Sequence, residues 1–300
     1  MQLRLLSWKR KKELFPYLLV LPGVVAIALI LVYPLIRGIL SSFYLEEPLD
    51  LGNAKFVGLQ HFRTLSSDKI FKLALKNSLI WTVSIVIVQY IIGLITALLL
   101  NQDFPGRFFF RSIILIPWVV PNIAAALTWR WIYADQFGIL NHILTSTGLL
   151  SKGVSWLGSV QTAFISVITT AIWKGTPFVA VVLLAGLQSI PRELYEAAVV
   201  AGANIFQEFW YVTLPQLKGV SLVTIILTSI WTFNQFDLVW IMTKGGPASS
   251  TQVIPVYTYL NAFNFFKFNY AAAIGSVGVV ILSILAVFTI KVSRAEELSD

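Results

Sequence analysis

The chain has 300 residues, of which 57% are hydrophobic and only 12% are charged, and its mean hydropathy is +0.79. These values lie far from those of a soluble globular domain and indicate an integral membrane protein. The chain contains no cysteine, which excludes disulfides, thiolate chemistry and cysteine-based metal sites. The net charge of +8 comes from basic residues that flank apolar segments, a pattern typical of membrane-surface anchoring and not of nucleic-acid binding.

Six apolar segments are long enough to cross a bilayer as helices, because a hydrocarbon core of about 30 Å needs roughly 20 apolar residues. The first segment is too long for a cleaved signal peptide and has the wrong flanks, so we expect the N-terminus to be retained. The predicted fold is an all-α integral membrane protein with six transmembrane helices. The predicted spans are 15–38, 76–100, 108–132, 160–188, 219–243 and 271–291.

Basic residues decide the predicted orientation. A cluster of them precedes the first span, and such a cluster usually keeps that end of the first helix in the cytoplasm. Six spans then return the C-terminus, with Lys291 and Arg294, to the same side. The N-terminal cluster consists of Arg4, Lys9, Arg10, Lys11 and Lys12. We divide the chain into a basic cytoplasmic N-terminus (1–14), the first helix with its outer loop (15–75), a transmembrane core (76–291) and a cytoplasmic tail (292–300).

Lys174 lies inside the fourth span, where a charge costs several kcal/mol unless it is paired or hydrated, and therefore marks a functional position. The neighbouring Gly175 and Pro177 predict a break in this helix. Lys174 and Asp237 of the fifth span lie at similar depths, about 24 Å and 28 Å from the cytoplasmic ends of their helices. We expect either that these two side chains pair, or that Lys174 stays free in a wet cavity to bind a hydroxyl-rich or anionic ligand. The alternative for Asp237 is a place near the outer interface, where water satisfies its carboxylate.

The loop 190–217, between the fourth and fifth spans, is the only substantial loop on the predicted cytoplasmic side. Ser189 can cap a helix whose first turn contains Pro191 and Glu193. Apolar residues spaced i, i+3, i+4 and i+7 give this helix a smooth face of small side chains. These residues are Leu194, Ala197, Ala198 and Ala201.

A second short helix follows in the same loop. Gly202 stands where the first helix should stop, and Asn204 can cap the next helix, which Pro215 closes. The resulting helix–turn–helix is too short to span the membrane. Two interpretations are open: an amphipathic pair that lies on the inner leaflet, or a docking element for a soluble partner.

A polar and aromatic face runs along the fifth span, where Thr228, Trp231, Thr232 and Gln235 recur at i, i+3, i+4 and i+7. Such a face also has two interpretations. Its hydroxyl and amide groups can hydrogen-bond neighbouring helices. Alternatively, they can line a site in which aromatic rings stack on sugars and amides satisfy sugar hydroxyls.

The loop 190–217 resembles a known motif. Its residue spacing resembles that of the EAA loop of importer permeases in the ATP-binding cassette (ABC) family. The matching positions are Glu196-Ala197-Ala198, then Gly202 after three residues, Val212 after nine more, and Leu214-Pro215 after one more. One position departs from the family pattern, because the family commonly has Asp immediately before the EAA glycine and this chain has Ala201. The departure removes the carboxylate that the family commonly has at this position, but it does not affect the match of the loop as a whole.

Other segments extend the resemblance from about residue 15 to the C-terminus. TFNQFDLVWIMTKGGP at 232–247 is similar to the signature of the sugar-importer branch, in the subunit type with a Gly-Gly-Pro ending. FVGLQHF at 56–62 resembles the segment before the second span of the family. Further matches are Leu100, Asn101, Arg111, Pro117, Pro121, Trp129, Gly138 and Asn141.

The resemblance implies a set of partners. The chain has no G-x-x-x-x-G-K-[ST] motif, so it cannot hold ATP phosphates in a P-loop of its own. The family pattern implies two cytosolic ATPase subunits that carry ATP and Mg, a second permease subunit and an extracytoplasmic solute-binding protein, with no cofactor on this chain. It also implies a multi-pass protein of the inner membrane with both termini in the cytoplasm.

The resemblance also implies roles for two groups of residues, none of them catalytic or metal-binding. The loop would dock on an ATPase through Glu193, Glu196, Ala197, Ala198, Gly202, Leu214 and Pro215. The helices that flank the loop would form the path for a sugar or oligosaccharide, through Trp173, Lys174, Gly175, Phe178, Thr228, Trp231, Thr232, Gln235 and Asp237.

Three other functions are considered. Import of glycerol phosphate by a permease of the same family would use Lys174 as an anion partner. An intramembrane enzyme lacks support, because H-E-x-x-H and G-x-S-x-G are absent and the lone S-x-x-K, Ser66 to Lys69, lies in an outer loop. A channel or ion-driven transporter would need no ATPase. His61 and His142 lie in separate polar loops and are expected to be ordinary surface residues.

Overall fold

The computed structural model describes residues 16–45 and 54–297. The predicted basic N-terminus 1–14, the outer-loop residues 46–53 and the end of the predicted tail, 298–300, lie outside the described residues. The cytoplasmic placement of both termini therefore stays a prediction.

The chain before the 190–217 loop forms long helices and one small hairpin. The strands β1 and β2 pair antiparallel, with Tyr44 opposite Phe56. We call the end of the bundle that carries this pair the hairpin end. The elements are α1 (Pro16–Ser41), β1 (Tyr44–Leu45), β2 (Lys55–Phe56), α2 (Gln60–Ser67), α3 (Lys69–Asn101), α4 (Arg107–Val119), α5 (Asn122–Ile132), α6 (Ile139–Ser146) and α7 (Ala163–Ser189).

The second part of the chain starts with the 190–217 loop, and we call the end of the bundle that carries this loop the loop end. One helix of the loop contains a π-helical turn at Phe209–Thr213. The elements are α8 (Arg192–Val200), α9 (Ile205–Gln216), α10 (Lys218–Phe233), α11 (Asp237–Thr243), α12 (Ile254–Tyr259) and α13 (Phe268–Glu297).

Within the described residues, four helices are long and apolar enough to cross a membrane, or up to six if each of two bent helix pairs counts as one span. The four are α1, α3, α7 and the segment Phe268–Val287 of α13. They coincide with the first, second, fourth and sixth predicted spans. The helical membrane fold is confirmed, whereas the number of spans depends on how the bent pairs are counted.

The predicted third span, 108–132, is not one straight helix. α4 and α5 meet at an angle of 92° around Val120 and Pro121. A residue before a proline avoids helical backbone, and Val120 is extended, with a ψ of 130°. Pro121 therefore ends α4 and frees the last carbonyl groups of that helix.

The predicted fifth span, 219–243, is also interrupted. α9 and α10 meet at an angle of 64°, and α10 ends at Phe233. The side chain of Asn234 terminates this helix, because its Nδ2 donates to the carbonyl oxygen of Ile230 at 3.0 Å. Of the remaining predicted residues, Asp237–Thr243 form the separate helix α11.

The helices α3 and α7 run in the same direction and form the central contact of the bundle. Toward the hairpin end, the buried residues Trp81 and Ile85 of α3 pack with Val167 and Ala171 of α7. Lipid is as apolar as these side chains, so close packing and hydrogen bonds hold the helices together rather than removal from water. The cluster at the loop end consists of Ala97, Leu100, Val179, Leu183, Leu184, Leu187, Ile190 and Leu217.

Asp68 joins three helices at the hairpin end. Its carboxylate caps α3 by accepting from the backbone N–H groups of Ile70 and Phe71, and it accepts from the hydroxyls of Tyr257 and Tyr270. Burial opposes the charged form of Asp68, but these four hydrogen bonds outweigh it and lower the pKa of the carboxyl. Burial, followed by the hydrogen bond to Asp68, raises the pKa of Tyr257 to about 12.

Candidate functional site

A cavity of about 500 Å³, which we call the central cavity, lies between α3, the α4–α5 break, α7 and the α10–α11 connection. It gathers eight of the nine residues that the sequence predicts for a substrate path. The ninth, Trp173, packs edge-on against Trp129 instead, with ring centroids 5.5 Å apart. The eight are Lys174, Gly175, Phe178, Thr228, Trp231, Thr232, Gln235 and Asp237.

Lys174 closes the broken end of α4. Its Nζ donates to the carbonyl oxygen of Val120 at 2.6 Å and to those of Pro117 and Trp118 at 3.3 Å. The last carbonyls of a helix lack partners within the helix and carry partial negative charge, so an ammonium group is stabilised there. A cation inside the bundle is thus satisfied by backbone oxygens.

Asp237 lies in the first turn of α11, where the helix dipole favours a carboxylate. Its Oδ2 accepts from Nδ2 of Asn122 at 3.2 Å. Within the described residues no ion pair joins Asp237 to Lys174, so the predicted pairing is wrong. The physical reason is the break at Pro121, which supplies Lys174 with backbone acceptors that depth along two helices does not reveal.

The helix α7 continues through Gly175 and Pro177, so the predicted break in this helix is wrong. Gly175 instead allows the side chain of Gln89 in α3 to approach α7 closely, because a Cβ built on Gly175 would lie 2.2 Å from Nε2 of Gln89. The same nitrogen donates to the carbonyl oxygen of Ala171 at 3.0 Å. Gln89 and the missing side chain of Gly175 therefore allow α3 and α7 to pack closely just before Pro177.

Three aromatic rings from three different helices meet in the wall of the central cavity. The ring centroids of Trp118 and Phe178 lie 5.9 Å apart, and those of Phe178 and Trp231 lie 5.0 Å apart. Trp118 and Phe178 are the lining residues of α4 and α7 that lie nearest to the loop end. Trp231 is 53% exposed, so a ligand in the cavity can reach its face.

The predicted polar face of α10 serves two purposes. Thr228 is buried and donates to the carbonyl oxygen of Thr224 at 2.7 Å, and the carbonyl oxygen of Thr232 accepts from the indole of Trp81 at 2.9 Å. These bonds stabilise the helix and its contact with α3. The side chains of Trp231 and Gln235 line the cavity.

Seven lining residues were missed by the sequence analysis. Gln89 is a polar side chain within an apolar span, which is a signal for hydrogen bonding inside a bundle. Trp118 and Asn122 reach the cavity because they flank the break between α4 and α5. The others are Ala171, Ile230, Asn234 and Phe236.

The 190–217 loop folds as two helices joined by a tight turn. α8 begins after Pro191 and not at Ser189. Ser189 is instead the last residue of α7, and its hydroxyl donates to the carbonyl oxygen of Gly186 at 2.7 Å. Gly202 has a φ of +81°, a left-handed conformation that glycine adopts without strain. Its N–H donates to the carbonyl oxygen of Val199 at 2.9 Å, which ends α8 as predicted.

The second helix of this loop starts as predicted and ends later. Asn204 and Gln207 form a capping box, in which each side chain bonds the backbone N–H of the other residue. The helix α9 then continues through Pro215 to Gln216. It ends one residue beyond Pro215, close to the predicted end, and contains a π-helical turn at Phe209–Thr213.

The predicted docking residues lie on the outside of this loop. Tyr195 anchors α8 to the bundle, with its hydroxyl 3.1 Å from Oγ1 of Thr213. Ala201, at the position that departs from the family pattern, is exposed at the end of α8. Glu193, Glu196, Ala197, Gly202 and Pro215 are exposed, and Ala198 and Leu214 are half-buried.

Comparisons with known proteins agree with this architecture. The family described as "Binding-protein-dependent transport system inner membrane component" matches residues 89–294. The trehalose/maltose transport system permease protein of Thermococcus litoralis is 33% identical over 289 residues, which cover 95% of this chain and 96% of the relative. The diacetylchitobiose uptake system permease protein of Streptomyces coelicolor is 31% identical over 292 residues, which cover 96% of this chain and 89% of the relative.

A solved structure matches the fold over almost the whole chain. It is the crystal structure of a bacterial ABC transporter involved in the import of the acidic polysaccharide alginate, with a TM-score of 0.84 and 24% identity over 96% of this chain and 98% of that chain. The family match and the two relatives make the chain a membrane transport subunit. The chain belongs to the family of binding-protein-dependent transport system inner membrane components, the permeases of ABC importers.

Proposed function

We propose that this chain is the permease subunit through which a sugar or oligosaccharide enters the cell, and that the substrate passes through the central cavity. The observation that carries the proposal is the lining of that cavity. Aromatic rings of Trp118, Phe178 and Trp231 offer stacking faces, and the amides of Gln89 and Gln235 offer hydrogen bonds to hydroxyls. The two relatives, permeases of a trehalose/maltose transport system and of a diacetylchitobiose uptake system, support a saccharide.

The bonds of Lys174 favour a neutral saccharide over glycerol phosphate. Two charged side chains line the cavity: Lys174 already donates to three backbone carbonyls, and Asp237 adds a negative charge to the same wall. A phosphate would have to compete for the ammonium group and would meet the carboxylate. A sugar hydroxyl can accept a hydrogen bond from the ammonium group of Lys174 and donate one to the carboxylate of Asp237.

Coupling to ATP hydrolysis is proposed to occur through the 190–217 loop. In this account two ATPase subunits carry ATP and Mg, and one of them holds α8 through its exposed carboxylates and small side chains. A second permease subunit completes the path, and an extracytoplasmic solute-binding protein delivers the sugar. The loop end then faces the cytoplasm, with both chain termini on that side of the inner membrane, and the bundle rocks between two states to give alternating access.

Reconstitution of the complete complex tests this function. The chain is co-purified with its second permease and ATPase subunits, placed in proteoliposomes with the solute-binding protein, and assayed for uptake of maltose, trehalose, diacetylchitobiose and glycerol 3-phosphate. We expect ATP-driven uptake of at least one saccharide and none of glycerol 3-phosphate. Uptake by this chain alone, driven by an ion gradient without ATPase subunits, would overturn the proposal.

A further inference from the structure

A second cavity, of about 960 Å³, lies at the loop end and is called the loop-end cavity. It is bounded by the loop-end parts of α3, α4 and α7 and by α8 and α9. Its wall is rich in charged and amide side chains, which a purely structural gap between apolar helices does not need. These side chains are Asn101, Gln102, Asp103, Arg107, Arg111, Gln188, Arg192 and Glu208.

The two cavities lie along the same walls. α3, α4 and α7 line both cavities, and α9 leads through its bend into α10, which lines the central cavity. On α4, Arg111 lies about 10 Å along the helix axis from Trp118, and on α7, Gln188 lies about 15 Å from Phe178. Phe178, whose ring contacts those of Trp118 and Trp231, therefore lies on the side of the central cavity that faces the loop end.

Arg111 is a fixed donor in the loop-end cavity. Its Nη2 donates to the carbonyl oxygen of Leu100 at 2.8 Å, which orients the guanidinium group. Its Nε is buried and has no acceptor among the described residues. Buried donors are nearly always satisfied by protein, water or a ligand, so this nitrogen indicates a missing acceptor.

Two opposite charges in the same wall indicate what kind of acceptor that is. Arg107 pairs with Asp103, whereas Arg192 and Glu208 form no ion pair within the described part of the chain. A guanidinium group only donates hydrogen bonds and a carboxylate only accepts them, whereas a hydroxyl group can accept from the first and donate to the second. An anion would be attracted by Arg111 and Arg192 but would also meet the carboxylates of Asp103 and Glu208 in the same wall.

We propose that the loop-end cavity is a second saccharide-binding station, which receives the sugar after it passes the aromatic contact and holds it through Arg111, Arg192 and Glu208 before release. Trp210, which is 60% exposed, supplies the aromatic face of this station. The inference rests on the proposed function and adds a site to it. The wall chemistry assigns a neutral, hydroxyl-rich ligand to the station.

Cysteine protection tests the station, because the chain has no cysteine of its own. Gln188→Cys reports the loop-end cavity and Gln235→Cys the central cavity, both in the complete complex in nanodiscs without nucleotide. A charged methanethiosulfonate reagent modifies each variant with and without the saccharide that is taken up from the panel of maltose, trehalose and diacetylchitobiose. We expect the saccharide to slow the modification of both cysteines. Adding Arg192→Gln and Glu208→Gln should abolish protection at residue 188 and leave it intact at residue 235.

The controls separate this inference from the function on which it rests. Gln216→Cys, exposed on α9 outside the cavity, should be modified at the same rate with and without sugar. Protection of Gln235→Cys without protection of Gln188→Cys would overturn the second station and leave the proposed function standing. Equal protection of Gln188→Cys by inorganic phosphate, or by phosphatidylglycerol in the nanodisc, would assign the cavity to anions or lipid and overturn the station. No protection and no uptake of any saccharide would overturn both.

Discussion

Lys174 Nζ donates to the carbonyl oxygen of Val120 at 2.6 Å, so a charged residue of α7 closes the broken end of α4. This bond joins two helices beside the central cavity and depends on the break that Pro121 creates. The ammonium group of Lys174 therefore stabilises the contact between these two helices at the point where a sugar is proposed to pass.

Replacement of Lys174 by Ala should destabilise the complex, because three carbonyl groups lose their donor. Hydrogen bonds to charged groups each contribute about 2 kcal/mol, so we expect a clear drop in the thermal midpoint of the purified complex. Lys174→Arg keeps donors at this place and should lose less. Because Lys174 and Asp237 do not pair, the effects of Lys174→Ala and Asp237→Ala should add. Rescue of one variant by the other would contradict this account.

Trp231→Ala should weaken substrate binding in the central cavity. Loss of an aromatic contact removes about 0.5–1.5 kcal/mol beyond burial, so the sugar concentration for half-maximal uptake should rise up to about tenfold. Trp231→Phe keeps a ring and should retain most of the affinity. Trp131→Ala is the matched control, since Trp131 is 76% exposed and lies outside the cavity. Equal losses in Trp131→Ala and Trp231→Ala would argue against a stacking role.

Gly202→Pro should uncouple ATP hydrolysis from uptake. Proline fixes φ near about −65°, whereas Gly202 has a φ of +81°, so the turn between α8 and α9 cannot form. We expect the variant to insert and assemble, with sugar uptake near background. Glu196→Lys, which reverses an exposed charge on α8, should have the same effect. Gly219→Ala is the control, because its added methyl group meets open space. Normal uptake by Gly202→Pro at normal expression would count against the docking role.

Asp68 should make the hairpin end sensitive to acid. Its folded pKa is lowered from the ordinary value of 3.8, so its contribution is fully present above about pH 4 and is lost as the pH falls through the folded pKa. The thermal midpoint of the wild-type complex should therefore fall more steeply than that of Asp68→Asn as the pH drops below about 4. Parallel pH profiles of the two proteins would show that the carboxylate does not stabilise the fold.

Local patterns predicted much of this fold. Long apolar runs placed four helices, and the left-handed glycine at 202 and the capping pair at Asn204 were readable because each acts within a few residues. The two prolines show where such patterns stop. Pro177 continues a helix that packs against α3, whereas Pro121 ends one, and the difference lies in tertiary contacts and not in the residue itself.

The sequence predicted many of the residues that line the candidate site, but it did not predict the hydrogen bonds that these residues form. The charge of Lys174 and the spacing on α10 identified most of the central cavity. The acceptors of Lys174 lie more than fifty residues away on a helix end that the predicted straight span concealed. The lining residues Trp118 and Asn122 were missed for the same reason.

Uptake through Gln235→Cys tests the central claim most directly. The complete complex with this variant is reconstituted with ATP inside the vesicles, treated with a methanethiosulfonate reagent, and assayed for uptake of its saccharide beside the cysteine-free wild-type chain. We predict that modification abolishes uptake by the variant only, and that saturating saccharide during treatment preserves it. Unchanged uptake after complete modification of Gln235→Cys would contradict passage through the central cavity.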